Sequence, residues 1–198
     1  MRLILTVIFF LMLGDKVYAI SPTTIDVIKE AQYYGQMHMH SQLNDFLRPW
    51  ISYEEKADRL NETAEHAYLY TPFLLIATDA REKGLNGQKI ELLDGKRIVN
   101  DYAGTLSFSV VLFGTESEFG RNATVMLKQG EKVITPYQVA IPLNAEKTTR
   151  YSKKSAYKIQ CYFYFFDKKV DFDKPMILSI VTGDKKEHHF YFVTTNVK

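Results

Sequence analysis

The stretch Tyr157–Phe166 constrains the fold more than any other, because apolar and polar side chains alternate along most of its length. A period of two places Tyr157, Ile159, Cys161, Phe163 and Phe165 on one face. The other face carries Lys158, Gln160, Tyr162 and Tyr164. Burial of each large apolar side chain contributes about 1.5–3 kcal/mol, so we expect a central strand with one dry side. The pattern identifies a core and no activity.

Cys161 is the single cysteine of the chain, so no internal disulfide can form. It is either a buried small hydrophobic residue or a thiol that pairs with another molecule. Its place on the apolar face of the predicted strand favours burial. The fold must then be stabilised by packing, without the disulfides that small secreted domains often use.

The N-terminus has the pattern of a secretory signal peptide. Arg2 supplies a positive charge, residues 3–13 are apolar, and Val17-Tyr18-Ala19 places small residues where a signal peptidase cuts. We predict a signal peptide over residues 1–19, cleaved after Ala19, and a secreted, periplasmic or cell-envelope location. The alternative is a buried helix or an uncleaved anchor, although so short a run does not cross about 30 Å of hydrocarbon unaided. No later segment has the composition of a membrane span, so we expect no transmembrane segment in the mature chain.

Composition predicts a globular chain and argues against two kinds of negatively charged partner. With 198 residues, 46% hydrophobic and 24% charged, the chain fits one domain of ordinary size with a helical section. Its formal net charge is +2, and removal of Arg2, Asp15 and Lys16 with the leader leaves +1. Without a basic excess, we expect neither nucleic acid nor an acidic membrane surface as a partner.

Residues 20–67 have the patterns of helices. Residues 24–34 carry apolar side chains at helical spacing, and residues 36–47 are helical in composition. The clearest signal is Ser52-Tyr53-Glu54-Glu55, which matches a capping box. It is followed at helical spacing by Ala57, Leu60, Ala64 and Ala67. We therefore predict two or three N-terminal helices, the last of them ending near residue 67.

Residues 68–198 have the patterns of strands. Residues 68–78 form an apolar run that contains Pro72, which cannot donate a ladder hydrogen bond, and they indicate an edge strand. Residues 84–101 contain two turn signals, and their pattern is compatible either with short strands or with one helical turn. Further strands are predicted at residues 106–112, 122–128, 133–134, 137–141, 157–166, 176–181 and 189–195. About seven strands without helices between them predict a mainly β (α+β overall) fold, an antiparallel immunoglobulin-like β-sandwich preceded by the helices.

Three motifs give the chain a resemblance to other proteins. They are Tyr70-Thr71-Pro72-Phe73, Gln129-Gly130, and Ala156-Tyr157 leading to Cys161-Tyr162-Phe163-Tyr164-Phe165. With these motifs, which span most of the mature chain, the sequence resembles uncharacterised secreted bacterial proteins with an immunoglobulin-like β-sandwich. The resemblance implies an exported bacterial protein and carries no known chemistry.

Tyr162, Tyr164 and Tyr191 are the candidate ligand-binding residues. A phenol ring pairs an apolar face with a polar tip, so exposed tyrosines on strands can form a platform for sugars or for a protein. The alternative is that the N-terminal helices cover these side chains.

Met37-His38-Met39-His40 is the candidate metal site. Imidazole suits copper and zinc, and thioether suits copper, so His38 and His40 are the predicted ligands. The segment also has helical composition, and alternate residues of a helix do not face each other. Its methionines fit an alternative role as fillers of gaps in a core. His66 is interpreted as a residue on the surface of a helix.

The sequence contains no motif of a catalytic site. It has no Gly-x-Ser-x-Gly, no His-Glu-x-x-His and no phosphate-binding glycine loop. We expect a non-catalytic exported protein without a cofactor, a binding or structural module whose partner is an envelope protein or a glycan. The alternative is a metal-binding exported protein, or an enzyme, that uses the segment from Met37 to His40. The glycosylation patterns at Asn61 and Asn122 matter only in a eukaryotic secretory route.

Overall fold

The structure is a computed structural model that describes residues 23–149 and 157–193. The predicted signal peptide, with its cleavage after Ala19, lies outside the described residues. The described chain is a mixed α+β fold with antiparallel sheets, 34% strand and 29% helix, so helices take a larger share than the sequence indicates. None of the described helices has the length and apolarity needed to cross a membrane.

Helix α1 (Ile25–Met37) confirms the first predicted helix. Thr24 is its N-cap, and the threonine hydroxyl accepts a hydrogen bond from the backbone N–H of Val27 at 3.3 Å. Ile28, Ala31 and Gly35 are its buried residues, as expected for one apolar face.

The second predicted helix is shorter than expected. Helix α2 (Leu43–Leu47) has little more than one turn, and the 3-10 helix Arg48–Trp50 follows it directly. Proline at the start of a helical turn loses no hydrogen bond, so Pro49 fits the beginning of this 3-10 helix. The ring of Tyr34 on α1 lies 5.5 Å from that of Phe46, which attaches α2 to α1.

The predicted helix over residues 52–67 is wrong, because the chain forms two strands there. They are β1 (Ile51–Tyr53) and β2 (His66–Tyr70), which pair antiparallel. Ser52, the predicted cap, is a buried β1 residue that lies opposite Ala67 of β2. Small apolar residues such as alanine fit a helix and a strand, so their spacing alone does not distinguish the two.

The predicted edge strand over residues 68–78 is wrong in its second half. Thr71 is the N-cap of helix α3 (Pro72–Leu85), and its hydroxyl accepts a hydrogen bond from the backbone N–H of Leu74 at 3.2 Å. Pro72 lies in the first turn of the helix, where its missing N–H removes no hydrogen bond. A continuous apolar run fits a buried helix as well as a strand, and here the Thr-Pro pair is the signal that marks a helix.

Helix α4 (Leu92–Asp101) lies in the segment whose structure the sequence leaves open. Glu91 and Asp94 form a capping box at its start, in which each side chain accepts a hydrogen bond from the backbone of the other residue. The backbone N–H of Glu91 donates to the Asp94 carboxylate at 3.0 Å. The Asp94 carboxylate also pairs with Lys83 of α3 at 2.8 Å, which ties α4 to α3.

Helices α1, α3 and α4 pack closely through glycines. A Cβ atom at Gly35 of α1 would overlap the backbone oxygen of Ala77 in α3. A Cβ atom at Gly95 of α4 would overlap the side chain of Ile28 in α1. Glycine at these two positions therefore permits a helix separation that a larger residue would prevent.

The remaining strands complete two antiparallel sheets. They are β3 (Thr105–Gly114), β4 (Thr124–Gln129), β5 (Lys132–Ile134), β6 (Gln138–Ala140), β7 (Glu146–Lys147), β8 (Tyr157–Phe166), β9 (Met176–Val181) and β10 (Glu187–Phe192). Sheet A has the order β1-β2-β3-β8-β6, and β7 also pairs with β8. Sheet B has the order β10-β9-β4-β5. The antiparallel pairing is confirmed, whereas the immunoglobulin-like outline stays a prediction.

The apolar face of β8 lies in the core, as the sequence predicts. Phe163 lies opposite Phe108 of β3 in the ladder. The Phe108 ring contacts Phe165 of the same sheet and Phe192 of sheet B, with ring centroids 5.7 and 5.3 Å away. The Phe192 contact shows that the two sheets pack face to face. Cys161 is buried between them, and burial raises the pKa of its thiol to about 12.

Candidate functional site

One face of sheet A carries a concentration of tyrosines. It is the face turned away from sheet B, because side chains alternate between the two sides of a strand. The ladder aligns its residues in two rows across β2, β3 and β8. One row contains Tyr70, Ser107 and Tyr164, and the other contains Tyr68, Ser109 and Tyr162. These six residues are called the tyrosine face below.

The serines in the middle of the tyrosine face lie beneath their neighbours. Ser109 has no exposed surface and Ser107 is 8% exposed, whereas Tyr162 is 40% exposed. The Ser109 hydroxyl accepts a hydrogen bond from the side-chain amide of Gln160 at 3.0 Å. Burial raises the pKa of Tyr70, and Tyr162 on the far side of β3 raises the pKa of Tyr70 as well. Serine at the two central positions therefore leaves room for the phenol rings to lie above β3.

The aromatic surface continues past the tyrosine face to the end of β8. The rings of Tyr137 and Phe166 stack with centroids 4.4 Å apart, and the Tyr137 ring lies 6.4 Å from that of Tyr164. The ammonium groups of Lys168 and Lys169 lie 5.6 and 5.5 Å from the centre of the Phe166 ring. Such distances allow cation–π attraction, so this end of the surface is aromatic and positively charged.

Burial keeps the hydroxyl groups of three tyrosines of the tyrosine face protonated at neutral pH. Burial raises the pKa of Tyr68 to about 12, and it also raises the pKa values of Tyr70 and Tyr164. Each protonated phenol can donate one hydrogen bond and accept others. The tyrosine face therefore offers a ligand apolar ring faces and polar tips.

A pocket of about 230 Å³ lies at the Lys158 end of the tyrosine face, between sheet A and α2. Its apolar and aromatic lining consists of Leu43, Leu47, Tyr68, Tyr70, Val111 and Phe113. Its polar lining consists of Asn44, Glu62, His66, Thr148, Lys158 and Gln160. Apolar and polar residues line the pocket in equal number, so it offers a ligand both apolar contacts and hydrogen-bonding groups.

His66 is a buried residue of β2 beside this pocket, so its interpretation as a helix-surface histidine is wrong. Its Nδ1 atom lies 2.8 Å from the carbonyl oxygen of Ala64 and donates to it. The ring also contacts Tyr53 and Tyr68 edge-on, at centroid distances of 6.1 and 5.2 Å. Burial lowers the pKa of the imidazole, and the positive charge of Lys158 lowers the pKa as well. His66 is therefore uncharged at neutral pH.

The structure brings together two of the three predicted platform residues. Tyr162 and Tyr164 belong to the tyrosine face. Tyr191 lies on β10 of sheet B, on the side opposite to its buried neighbour Phe190, so both sheets separate it from the other two. The described N-terminal helices do not cover Tyr162 or Tyr191, which are 40% and 48% exposed.

Sequence reasoning misses the β2 half of the tyrosine face. Tyr68 and Tyr70 alternate with Ala67 and Leu69, which is the period of a half-buried strand. The signal is short and follows directly after the wrongly predicted helix, so the sequence indicates the start of a continuous apolar run instead. Tyr137, at the other edge, begins the strand predicted over residues 137–141, and nothing in that pattern marks it as a site residue.

The predicted metal ligands lie just after the end of α1. The His38 ring stacks on Tyr34 with centroids 4.1 Å apart, and its Nδ1 atom lies 2.9 Å from the Tyr34 carbonyl oxygen. Met39 packs against Gly84 of α3, and His40 is exposed. Within residues 23–149 and 157–193, no three side chains of His, Cys, Asp or Glu are grouped as metal ligands. Copper or zinc binding by His38 and His40 stays a prediction.

A second polar cluster has the connectivity of a catalytic triad. The Nδ1 atom of His188 lies 2.7 Å from the Glu65 carboxylate, and its Nε2 atom lies 3.3 Å from the Thr182 hydroxyl. Thr182 is 2% exposed, and its hydroxyl donates to Asp184. A nucleophile must reach its substrate, which this burial prevents. Glu65 also accepts a hydrogen bond from the backbone N–H of Phe113 at 3.0 Å, so the cluster links the two sheets.

No protein-family model matches the chain, and no curated protein matches it. The chain is similar to several solved structures. One is the archaellum periplasmic stator protein complex FlaF and FlaG from Sulfolobus acidocaldarius. The TM-score is 0.32, and the identity is 11% over 46% of this chain and 79% of that chain. FlaG from the same organism has a TM-score of 0.30 and 10% identity over 46% and 87% of the two chains. A protein of unknown function from Burkholderia pseudomallei has a TM-score of 0.41 and 8% identity over 89% and 96%. At these low values, the likenesses carry no argument about fold or function.

Proposed function

We propose that this protein is an exported, non-catalytic binding module that holds a glycan of the cell envelope or extracellular space on its tyrosine face. The observation that carries the proposal is the alignment of Tyr68, Tyr70, Tyr162 and Tyr164 across three neighbouring strands, next to a pocket. Tyr162 is 40% exposed, so a ligand can reach the tyrosine face.

The chemistry of the tyrosine face suits a sugar ring. A sugar ring has C–H groups on its faces and hydroxyl groups around its edge, and a tyrosine offers a matching apolar ring and polar tip. Tyr162 and Tyr164 are two residues apart on β8, so their Cα atoms are separated by roughly 7 Å along the strand. Two aromatic rings at that spacing can contact one sugar unit or its direct neighbour.

An envelope protein is the alternative ligand, because tyrosine is enriched at protein interfaces. A stable protein interface covers about 800 Å² on each partner, which calls for a broad contact area. The pocket beside Tyr68 and Tyr70 instead has the volume of a single ring, about 230 Å³, and polar side chains in its lining. These features favour a glycan.

The proposed location is secreted, periplasmic or at the cell envelope. It is supported by the signal-peptide pattern of residues 1–19 and by the resemblance to secreted bacterial proteins. In the proposal the two antiparallel sheets, with an immunoglobulin-like outline, act as a scaffold. Its core contains the single cysteine of the chain, Cys161, so packing stabilises the scaffold without an internal disulfide.

Binding of the mature protein to a panel of immobilised polysaccharides tests the proposal. Tyr162→Ala and Tyr164→Ala should each weaken binding about tenfold, because a central aromatic contact contributes 1–2 kcal/mol or more. Tyr191→Ala is the matched control, since Tyr191 is as exposed as Tyr162 but lies on sheet B, and it should leave binding unchanged. The proposal fails if the native chain retains no polysaccharide, or if Tyr191→Ala weakens binding as much as Tyr162→Ala does.

A further inference from the structure

Resting on the proposed function, we infer that the pocket at the Lys158 end of the tyrosine face binds a uronic acid, so that the glycan is acidic. Lys158 pairs with the sugar carboxylate, and Tyr68 and Tyr70 contact the ring. The rest of the glycan continues from the pocket toward Tyr162.

The charge of Lys158 is the first argument. Lys158 is half-buried in the pocket lining, and it forms no ion pair with any residue in the described parts of the chain. Glu62, which lines the pocket, and Glu146, which lies opposite Lys158 in the ladder, are both exposed to water. Carboxylates in water attract a neighbouring cation weakly. A half-buried cation without a close partner favours an anionic ligand, because the ligand supplies the missing counter-charge.

The volume of the pocket is the second argument. Pockets for drug-sized ligands measure about 300–1,000 Å³, whereas this pocket measures about 230 Å³. It therefore takes one ring with its substituent and not a longer chain. Leu43 and Leu47 of α2 close one side, so the ligand extends in the direction of the tyrosine face.

The polar lining is the third argument, and it distinguishes a sugar acid from an aromatic acid. Asn44, Thr148 and Gln160 surround the pocket with amide and hydroxyl groups. A polyhydroxylated ring can exchange hydrogen bonds with these groups, whereas a benzoate ring has no hydroxyl group to offer them. His66 adds an uncharged ring to the lining, so Lys158 supplies the positive charge.

Ligand-observed NMR of the mature protein with D-glucuronate, D-glucose and benzoate tests the inference. Glucuronate should bind about tenfold more tightly than either of the others, because it alone combines the carboxylate with the ring hydroxyls. Lys158→Met should reduce glucuronate binding to the level of glucose. Glu146→Gln should leave the preference intact or increase it, because it removes a competing carboxylate. Lys128→Met is the matched control, since Lys128 is a half-buried strand lysine of sheet B, and it should change nothing.

The outcomes separate this inference from the proposed function. Equal affinity for glucuronate and glucose, or a preference that survives Lys158→Met, overturns the acidic ligand and leaves a glycan on the tyrosine face standing. Tighter binding of benzoate than of glucuronate contradicts the inference that the ligand of the pocket is a sugar. Binding of none of the three overturns the inference, while the polysaccharide panel with Tyr162→Ala decides the proposed function separately. Fluorescence of Trp50, which is buried in the native state, confirms that each variant is folded.

Discussion

Replacing Glu65 by alanine removes the acceptor of two buried donors, one from each sheet. One carboxylate oxygen accepts from the backbone N–H of Phe113 in β3 at 3.0 Å. The other lies 2.7 Å from the Nδ1 atom of His188 in β10. The Glu65 and His188 side chains are 12% and 5% exposed, so water cannot replace the lost partner easily.

The expected loss follows from these two contacts. A buried donor left without an acceptor costs about 1–3 kcal/mol, and Glu65→Ala leaves two such donors. We therefore expect this change to lower the free energy of unfolding by about 2–6 kcal/mol. Glu65→Gln keeps a side-chain oxygen for the Phe113 N–H but places an amide NH2 group opposite the His188 Nδ1 atom, so it loses one of the two hydrogen bonds and should cost about 1–3 kcal/mol.

Urea unfolding followed by the fluorescence of Trp50 measures the loss, because Trp50 is the single tryptophan and is buried. Glu62→Ala is the control: it removes an exposed carboxylate nearby and should change stability by no more than about 0.5 kcal/mol. Combining Glu65→Ala with His188→Ala should cost less than the sum of the single changes, by about 0.5–3 kcal/mol. A loss below about 1 kcal/mol for Glu65→Ala, or additive effects in the double variant, would refute a buried link between the sheets.

Three further measurements test the core and the pocket. Phe163→Ala should destabilise the fold by about 3–5 kcal/mol through cavity formation, since Phe163 is fully buried, and a loss below about 1 kcal/mol would mean that the β8 face is misassigned. Cys161, whose thiol pKa is raised to about 12, should resist iodoacetamide at pH 8 in the native protein and react rapidly in urea; fast native alkylation would contradict its burial. Burial lowers the pKa of His66 in the folded state, whereas the pKa in the unfolded state is about 6.5. The contribution of His66 to the free energy of unfolding is therefore present above a pH of about 6.5 and is lost as the pH falls toward the pKa of the folded state. His66→Gln should therefore show a smaller stability loss between pH 7.5 and 5.5 than the native chain, by up to about 1.4 kcal/mol per pH unit, and equal losses would exclude this role.

The long alternating strands are predictable because their pattern permits one register. In β3 and β8, a slip of one residue would place Ser109 and Tyr162 in the core and Val110 and Cys161 outside it. The free-energy difference between the two registers is large, so the local pattern determines the structure. Helix α1 is predictable for a similar reason, since its cap and its apolar face both indicate a helix over the same residues.

The segment around Ser52 is not predictable from local patterns, whereas the Thr71-Pro72 pair is a local signal of a helix start. Both residues can cap a helix, yet Ser52 lies in a strand and Thr71 begins α3. What separates them is pairing with distant chain: β1 forms a ladder with β2, and the β1–β2 pair extends a sheet whose next strand begins at residue 105. Such contacts are absent from any short window of sequence, so they override helix propensity without leaving a local trace.

The sequence by itself determined that Tyr162 and Tyr164 share a face opposite to Cys161 and Phe163, because a strand has a period of two. Only the tertiary structure decided which residues lie beside these two tyrosines. The order β2-β3-β8 brings Tyr68 and Tyr70 to the same face, whereas the packing of sheet B puts Tyr191 on the other side of the molecule. Strand order and sheet packing depend on contacts between residues far apart in the chain, and no periodicity within one strand records them.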